Sequence, residues 1–320
     1  MRKQRFGSRE VSVIGLGSSE FGGKCPESLA REFMDTYTEL GGNFIDTARV
    51  YGDFVTPRNG ESEKEIGRWM SDRHCRDQIF VSTKGGHPPL TDMHRSRLSR
   101  ENIRNYLAES LENLQTDHVD IYWLHRDDIS RPVGEIMESL QTLIDDGTTR
   151  MIGVSNWRPA RIMEALTFSR GHGLTPLSAN QPQFSLAVQA SFADQTLVTM
   201  DNEMYCMHLK TGMVCCCFSS QARGFFTRLD KNSPENLPDG LKKQYLCPEN
   251  LAIYARMKKI QQETGLDIQS IALSFLTSQP FPTFALAGAS RIEHILSLKN
   301  AGDAVLNTEQ ISRLRSFTDT

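Results

Sequence analysis

Eight short runs rich in β-branched and aromatic residues recur along the 320-residue chain, each followed by a segment long enough for a helix. They read VSVIGLG, NFIDTA, IFVSTK, HVDIYWLH, MIGVSN, LSANQPQF, MVCCCFS and TFALAG. Strands that alternate with helices lie parallel, because the crossover returns the chain to the same edge before the next strand starts. Eight such units can close a sheet on itself. The expectation is therefore an α/β fold, a (β/α)8 TIM-type barrel, carried as a single domain over residues 1–320. Barrels of this kind run about 250 residues plus insertions, which the length accommodates.

The connecting segments carry helical signals. Ser62 and Glu65 have the S-x-x-E spacing of a capping box opening SEKEIGRWM. Ile103, Leu107, Leu111 and Leu114 form one apolar stripe between residues 99 and 114. Ile268, Ile271, Ala272, Phe275 and Leu276 form another. Two connections predict long loops, about 85–100 and 230–250, the second holding Pro234, Pro238, Gly240 and Pro248. In a barrel, the loops after the strands build the active-site face.

A net charge of −3 gives no electrostatic reason to expect nucleic acid or an anionic membrane as partner. No stretch reaches the roughly 20 apolar residues of a membrane span. The basic start, MRKQRFGSREVSVIGLG, is followed by no long apolar run, which predicts no signal peptide. Three of the seven cysteines, Cys215, Cys216 and Cys217, are consecutive inside MVCCCF. Neighbours on a strand face opposite ways, so small buried thiols are expected rather than a disulfide or metal cage. Unpaired thiols favour a reducing compartment, hence a cytoplasmic location. GLGSSEFG starts like a dinucleotide fingerprint, but Glu20 stands where that pattern needs glycine or alanine, so a glycine-rich first barrel loop is expected instead.

Parallel barrel strands end on one face. The second run ends in Asp46, with Tyr51 just beyond, the third in Lys84 and the fourth in His125. The fifth ends in Ser155 and Asn156, the sixth near Gln181, the seventh in Phe218 and Ser219, and the eighth at Gly288. Asp46, Tyr51, Lys84 and His125 thus converge. A tyrosine is ordinarily a weak proton donor at neutral pH, and a nearby ammonium favours its charged form. Lys84 can supply that ammonium, Asp46 can hold it, and His125 can orient a carbonyl oxygen. The set suits protonation of an oxygen while hydride arrives at carbon. It lacks an obvious nucleophile, which counts against acyl or phosphoryl transfer. No carboxylate and histidine cluster at the strand ends suggests a metal. Each residue alone has a plainer role: a helix cap for Asp46, loop packing for Tyr51, a solvated charge for Lys84, a buried ring for His125.

These stretches resemble the aldo-keto reductase family. GGNFIDTARVYG resembles the signature with Asp and Tyr in a D-T-A-x-x-Y-G frame; IFVSTKGG and VDIYWLHRDD resemble the strands carrying the lysine and histidine of its catalytic tetrad. IGVSNW, NQPQFSL and SQARGFFTR resemble its cofactor strands, and the likeness runs in order over nearly the whole chain. The resemblance implies Tyr51 as general acid/base, tuned by Lys84 and Asp46, with His125 orienting the substrate. It implies NADP as cofactor. Ser155, Asn156 and Gln181 would hold the carboxamide, Phe218 would stack on the nicotinamide, and Ser219, Gln221 and Arg223 would receive the pyrophosphate. Gly288, Ser290, Arg291 and His294 belong to the stretch implied for the adenosine 2′-phosphate. His294 replaces a second basic residue and Leu298 an asparagine that usually contacts adenine, so NAD is admitted beside NADP.

The implied substrate is a small carbonyl compound, an aldehyde, a ketone or a sugar. Residues 85–100 and 230–250, Trp157, Arg126 and Asp127 are expected around it, with Arg58 and Asn59 as polar candidates. Tyr122 and Trp123 alternate, so one faces the barrel interior and one the helices. Two other readings remain open: a nicotinamide-binding regulatory subunit with little turnover, and a barrel enzyme without nicotinamide.

Overall fold

The computed structural model describes residues 1–53, 60–93, 95–191 and 194–315. Among these residues ten strands are present: β1 (Lys3–Phe6), β2 (Arg9–Ser12), β3 (Ile14–Gly17), β4 (Phe44–Asp46), β5 (Phe80–Gly85), β6 (Ile121–Leu124), β7 (Ile152–Ser155), β8 (Ala179–Gln181), β9 (Val214–Cys217) and β10 (Thr283–Ala287). The last eight form a closed parallel barrel in chain order, β10 pairing back to β3. The expected (β/α)8 architecture is the one observed.

Helices fill the crossovers: α1 (Glu27–Glu39), α2 (Glu61–Arg73), α3 (Arg100–Leu114), α4 (Val133–Asp145), α5 (Pro159–His172) and α6 (Asn202–Thr211). After β9 come α7 (Phe225–Lys231), α8 (Asp239–Tyr245), α9 (Pro248–Thr264) and α10 (Ile268–Thr277); after β10 come α11 (Ile292–Asp303) and α12 (Thr308–Leu314). The stretch 230–250, expected as a loop, is thus largely helical. Its prolines sit at or just before helix starts, where a missing N–H costs nothing. The connection from Gly86 to Ser99 carries no helix or strand among its described residues.

The first run, VSVIGLG, divides between two elements. Val11 and Ser12 belong to β2, which pairs antiparallel with β1, and only Ile14–Gly17 enters the barrel. The hairpin closes the barrel floor. Phe6 is fully buried and stacks on Phe80 and Phe284, with ring centroids 4.8 and 5.0 Å away, and meets Phe44 edge-on at 6.3 Å. Gly15 lies in the wall beside them. A Cβ there would come within 2.8 Å of Leu286 Cδ2 and 2.9 Å of Phe44 Cδ1, so this glycine serves close packing and not a phosphate turn.

Two apolar layers result. Phe6, Phe44, Phe80, Trp123, Cys216 and Phe284 fill the barrel. Tyr122, Cys215 and Cys217 face the helices, as strand alternation requires. The seven cysteines are free.

The spacing of Ser62 and Glu65 does not form a capping box. The helix starts at Glu61 behind Gly60, and Ser62 Oγ donates to Ser18 O at 2.9 Å. A buried acceptor outcompetes the helix end. The next residue, Glu63, is fully buried; its Oε1 accepts from Thr83 Oγ1 at 2.5 Å and its Oε2 from Asn113 Nδ2 at 3.0 Å. Burial pushes this carboxyl above the ordinary carboxylate range, more than its hydrogen bonds pull it down. Such a carboxyl holds its proton more readily in the fold than in the unfolded chain. Its penalty is absent below the unfolded value, near 4.3, and grows as pH rises from there through the raised folded value. Glu63→Gln is expected to gain stability relative to wild type as pH goes from 5 to 8. Urea midpoints across that range test this, and a pH-independent difference would refute it.

Candidate active site

β4 and β5 are neighbours, with Asp46 in register with Ser82. Residues two apart on a strand share a face, so Ser82 and Lys84 both enter the barrel beside Asp46. Lys84 Nζ donates to Asp46 Oδ2 and, at 2.8 Å, to Thr47 O. Ser82 Oγ and Gln181 Nε2 donate to Asp46 Oδ1 at 2.6 and 3.1 Å. Asp46 and Lys84 are 2% and 1% exposed. Burial disfavours the ammonium, but Asp46 and then Tyr51 outweigh it, and Lys84 is held above the ordinary lysine value. The cation therefore persists in the barrel mouth at neutral pH.

Tyr51 lies in the turn after β4, its N–H donating to Ala48 O at 2.9 Å. The next residue, Gly52, has φ +92°, and a Cβ there would stand 3.0 Å from Glu61 Cβ, so the turn that carries Tyr51 depends on glycine. The ring comes to 4.7 Å from Lys84 Nζ, centroid to nitrogen, and meets His125 edge-on at 5.9 Å. His125 follows β6, anchored by its N–H to Gly85 O at 2.9 Å. Burial first, then His87 and Lys84, push its imidazole far below the usual histidine range, so the ring is neutral. Asp46, Tyr51, Lys84 and His125 are thus brought together at the C-terminal end of the barrel. A phenol beside a buried ammonium, facing a neutral imidazole, is a set that can polarise and protonate an oxygen.

The remaining strand ends surround them. Ser155 Oγ donates to Gln181 O at 2.8 Å. Asn156 has φ +62°, which asparagine tolerates. Its Nδ2 donates to Ser155 Oγ and His125 O, and its Oδ1 accepts from Val198 N at 3.1 Å. Phe218 is half-buried at the end of β9, with Ser219 exposed beyond it. Ser219, Ala222 and Arg223 have φ of +53°, +47° and +56°, an uncommon run for non-glycine residues. Strain of this kind gathers where a loop is shaped for a ligand. Arg223 is exposed, Gln221 half-buried, and Gly288 exposed at the end of β10. Ser290, Arg291 and His294 meet at the start of α11: Arg291 Nη2 lies 3.0 Å from His294 Nε2, and Ser290 N 3.4 Å from His294 Nδ1. Burial and then Arg291 lower the His294 pKa, leaving Arg291 as the charge of this group.

Several expected neighbours lie elsewhere. Trp157 is fully buried, its Nε1 donating to Arg126 O at 3.3 Å. Asp127 turns to Arg161, 3.5 Å away on α5. Leu298 is 1% exposed, on the side of α11 that packs into the core. Arg58 and Asn59 lie outside the described residues. Trp123 faces the barrel and Tyr122 the helices. Sequence reading missed Ser82, though its two-residue spacing from Lys84 was the available signal. It also missed His87, whose ring meets His125 at 4.8 Å; no local pattern marks that contact. Among the described residues, no group of three or more His, Cys, Asp or Glu could hold a metal, and no helix is long and apolar enough to cross a membrane.

A closed parallel barrel with a buried lysine–aspartate pair and a phenol at its mouth places a polar cluster on the C-terminal face of the barrel, where barrel enzymes carry their sites. The family model described as Aldo/keto reductase family matches residues 13–319, and the chain belongs to that family. An aryl-alcohol dehydrogenase of Pestalotiopsis microspora is 27% identical, over 98% of this chain and 80% of its own. A norsolorinic acid reductase of Aspergillus flavus is also 27% identical, over 95% and 77%. A putative aryl-alcohol dehydrogenase of Saccharomyces cerevisiae is 29% identical, over 95% and 80%. The crystal structure of a thermostable aldo-keto reductase, Tm1743, with the inhibitor epalrestat shares the fold at a TM-score of 0.73 and 23% identity, covering 98% of each chain.

Proposed function

We propose that the chain is an NADP(H)-dependent oxidoreductase of aldehydes and ketones, with Tyr51 as its general acid/base. The observation that carries this is the buried Lys84, bonded to Asp46 and set beside the Tyr51 ring, with the neutral His125 opposite. Negative charge forming on the phenol oxygen is stabilised by the Lys84 ammonium, and Asp46 keeps that ammonium charged and in place. His125, being neutral, donates a hydrogen bond to a carbonyl oxygen without adding a second cation. Its Nδ1 is buried without a hydrogen-bond partner, so the orientation of the ring rests on packing.

The chain's own residues fit a nicotinamide dinucleotide. Phe218 offers a half-exposed aromatic face, the strained 219–224 loop offers Gln221 and the exposed Arg223, and Ser290, Arg291 and His294 cluster where free amides of α11 point. Asn156 and Ser155 are already engaged with backbone and with each other, a fixed polar wall for the carboxamide. When bound, the cofactor supplies or accepts hydride; the protein holds it against the barrel mouth and handles the proton. Arg291 supports NADP over NAD, because a guanidinium suits a phosphate. Arg291→Ala is expected to weaken NADPH binding by about tenfold or more, the scale of a charged hydrogen bond, and NADH binding far less. Fluorescence titration with both nucleotides decides this; equal losses would remove Arg291 from the phosphate site.

Relatives named aryl-alcohol dehydrogenases support aromatic aldehydes as the first substrates to assay. Seven free cysteines support a cytosolic location. The test is NADPH oxidation with benzaldehyde, repeated with NADH. Measurable turnover is expected. Tight NADPH binding with no turnover over a broad carbonyl panel would overturn the reading in favour of a nicotinamide-binding regulatory subunit.

A further inference from the structure

In a chain of net charge −3, the connection from β5 to α3 carries Arg95 and Arg97, and Arg100 opens α3 directly after it. It walls a cavity of about 200 Å³ with Val50, His87, Pro88, Leu90, Arg97 and Tyr106 on its surface. The cavity abuts the reactive centre, since Lys84 also lines it and His87 touches the His125 ring at 4.8 Å. Its walls are unequal in charge. Arg49 is balanced by Glu109 at 2.8 Å and Asp53 at 3.6 Å. His87 is neutral, pushed down to about 4 by burial and then by Arg126. Arg97 has no such balance: its Nε is buried without a hydrogen-bond partner, and among the described residues no carboxylate lies within ion-pair distance of it.

A guanidinium placed half-buried and unpaired costs free energy that an anionic ligand would recover. The apolar neighbours Pro88, Leu90 and Tyr106 suit a ring. A cavity of about 150 Å³ holds a benzene molecule, so this one admits an aromatic ring with a substituent. A planar, forked donor matches a carboxylate in shape.

We propose that this cavity selects aromatic carbonyl substrates bearing a carboxylate remote from the reacting carbon, and that Arg97 is the residue that receives it. The inference rests on the oxidoreductase reading for its chemistry but not for its binding.

Two aldehydes of one shape separate charge from size: 4-carboxybenzaldehyde and its neutral counterpart, 4-formylbenzamide. The ratio of their kcat/KM values, with NADPH, is the readout. Wild type is expected to favour the acid about tenfold or more, the scale of a charged hydrogen bond. Arg97→Met is expected to bring the ratio close to one. Arg97→Lys, which keeps the charge and loses the fork, should fall between. A wild-type ratio near one, or a ratio untouched by Arg97→Met, overturns the proposal while leaving the reductase reading intact. Binding of 4-(hydroxymethyl)benzoate by calorimetry supplies an arm that needs no turnover. If neither aldehyde reacts yet this acid binds wild type and not Arg97→Met, the cavity assignment stands and the reductase reading fails. If the acid binds both alike, the cavity assignment fails.

Discussion

Tyr51→Phe is expected to lower kcat for an aromatic aldehyde by about 10²- to 10⁴-fold, the contribution of a positioned general acid. The substitution removes one oxygen and leaves the ring. The contact with Lys84 Nζ at 4.7 Å and the edge-on meeting with His125 at 5.9 Å are made by ring atoms, so the packing of the turn persists. NADPH affinity and the thermal midpoint should therefore stay close to wild type while turnover collapses. This split separates a proton-transfer role from a structural one. A variant that kept more than a tenth of wild-type kcat would assign the proton to another group, and His125 is poorly suited because burial keeps it unprotonated.

The second large effect is on stability. Phe6→Ala should destabilise the fold by about 3–5 kcal/mol, the usual range for emptying a buried aromatic site. Phe6 is fully buried among Phe44, Phe80 and Phe284, and those three belong to barrel strands that cannot close over the gap without losing their ladder pairing. The hairpin closes the end of the barrel away from Lys84 and Tyr51. Conservation of chemistry at the mouth with a loss at the floor is thus expected: urea denaturation should report the full cost, while KM for NADPH below the transition remains near wild type. A loss under about 1 kcal/mol would mean that the hairpin is not part of the cooperative core.

The barrel was readable because period-two apolar runs alternating with helix-length segments leave few ways to bury both faces of a strand. All eight runs contain a barrel strand, and Asp46, Lys84 and His125 lie at strand ends because chain direction puts every strand end on one face. The errors share a cause. Val11 and Ser12 look like the start of a barrel strand, yet they pair with β1, because pairing partner is not encoded in a local pattern. Ser62 has the spacing of a cap, yet its hydroxyl points to Ser18, whose position only the fold supplies. Trp157 looked like a pocket aromatic and is instead fully buried. The prolines of 230–250 suggested a loop but stand at helix starts, where proline is tolerated.

Strand identity, chain order and the residue types at the strand ends follow from the amino acids alone, since hydrophobic periodicity and backbone direction are local properties. Tertiary packing decided the rest. It placed Ser82 and Gln181 on Asp46, brought His87 from a loop onto His125, and left Arg97 unpaired on a cavity wall. Those contacts join residues that are far apart in the chain or set by loop path. Their energies depend on burial and on which partner arrives, and neither exists until the barrel has closed.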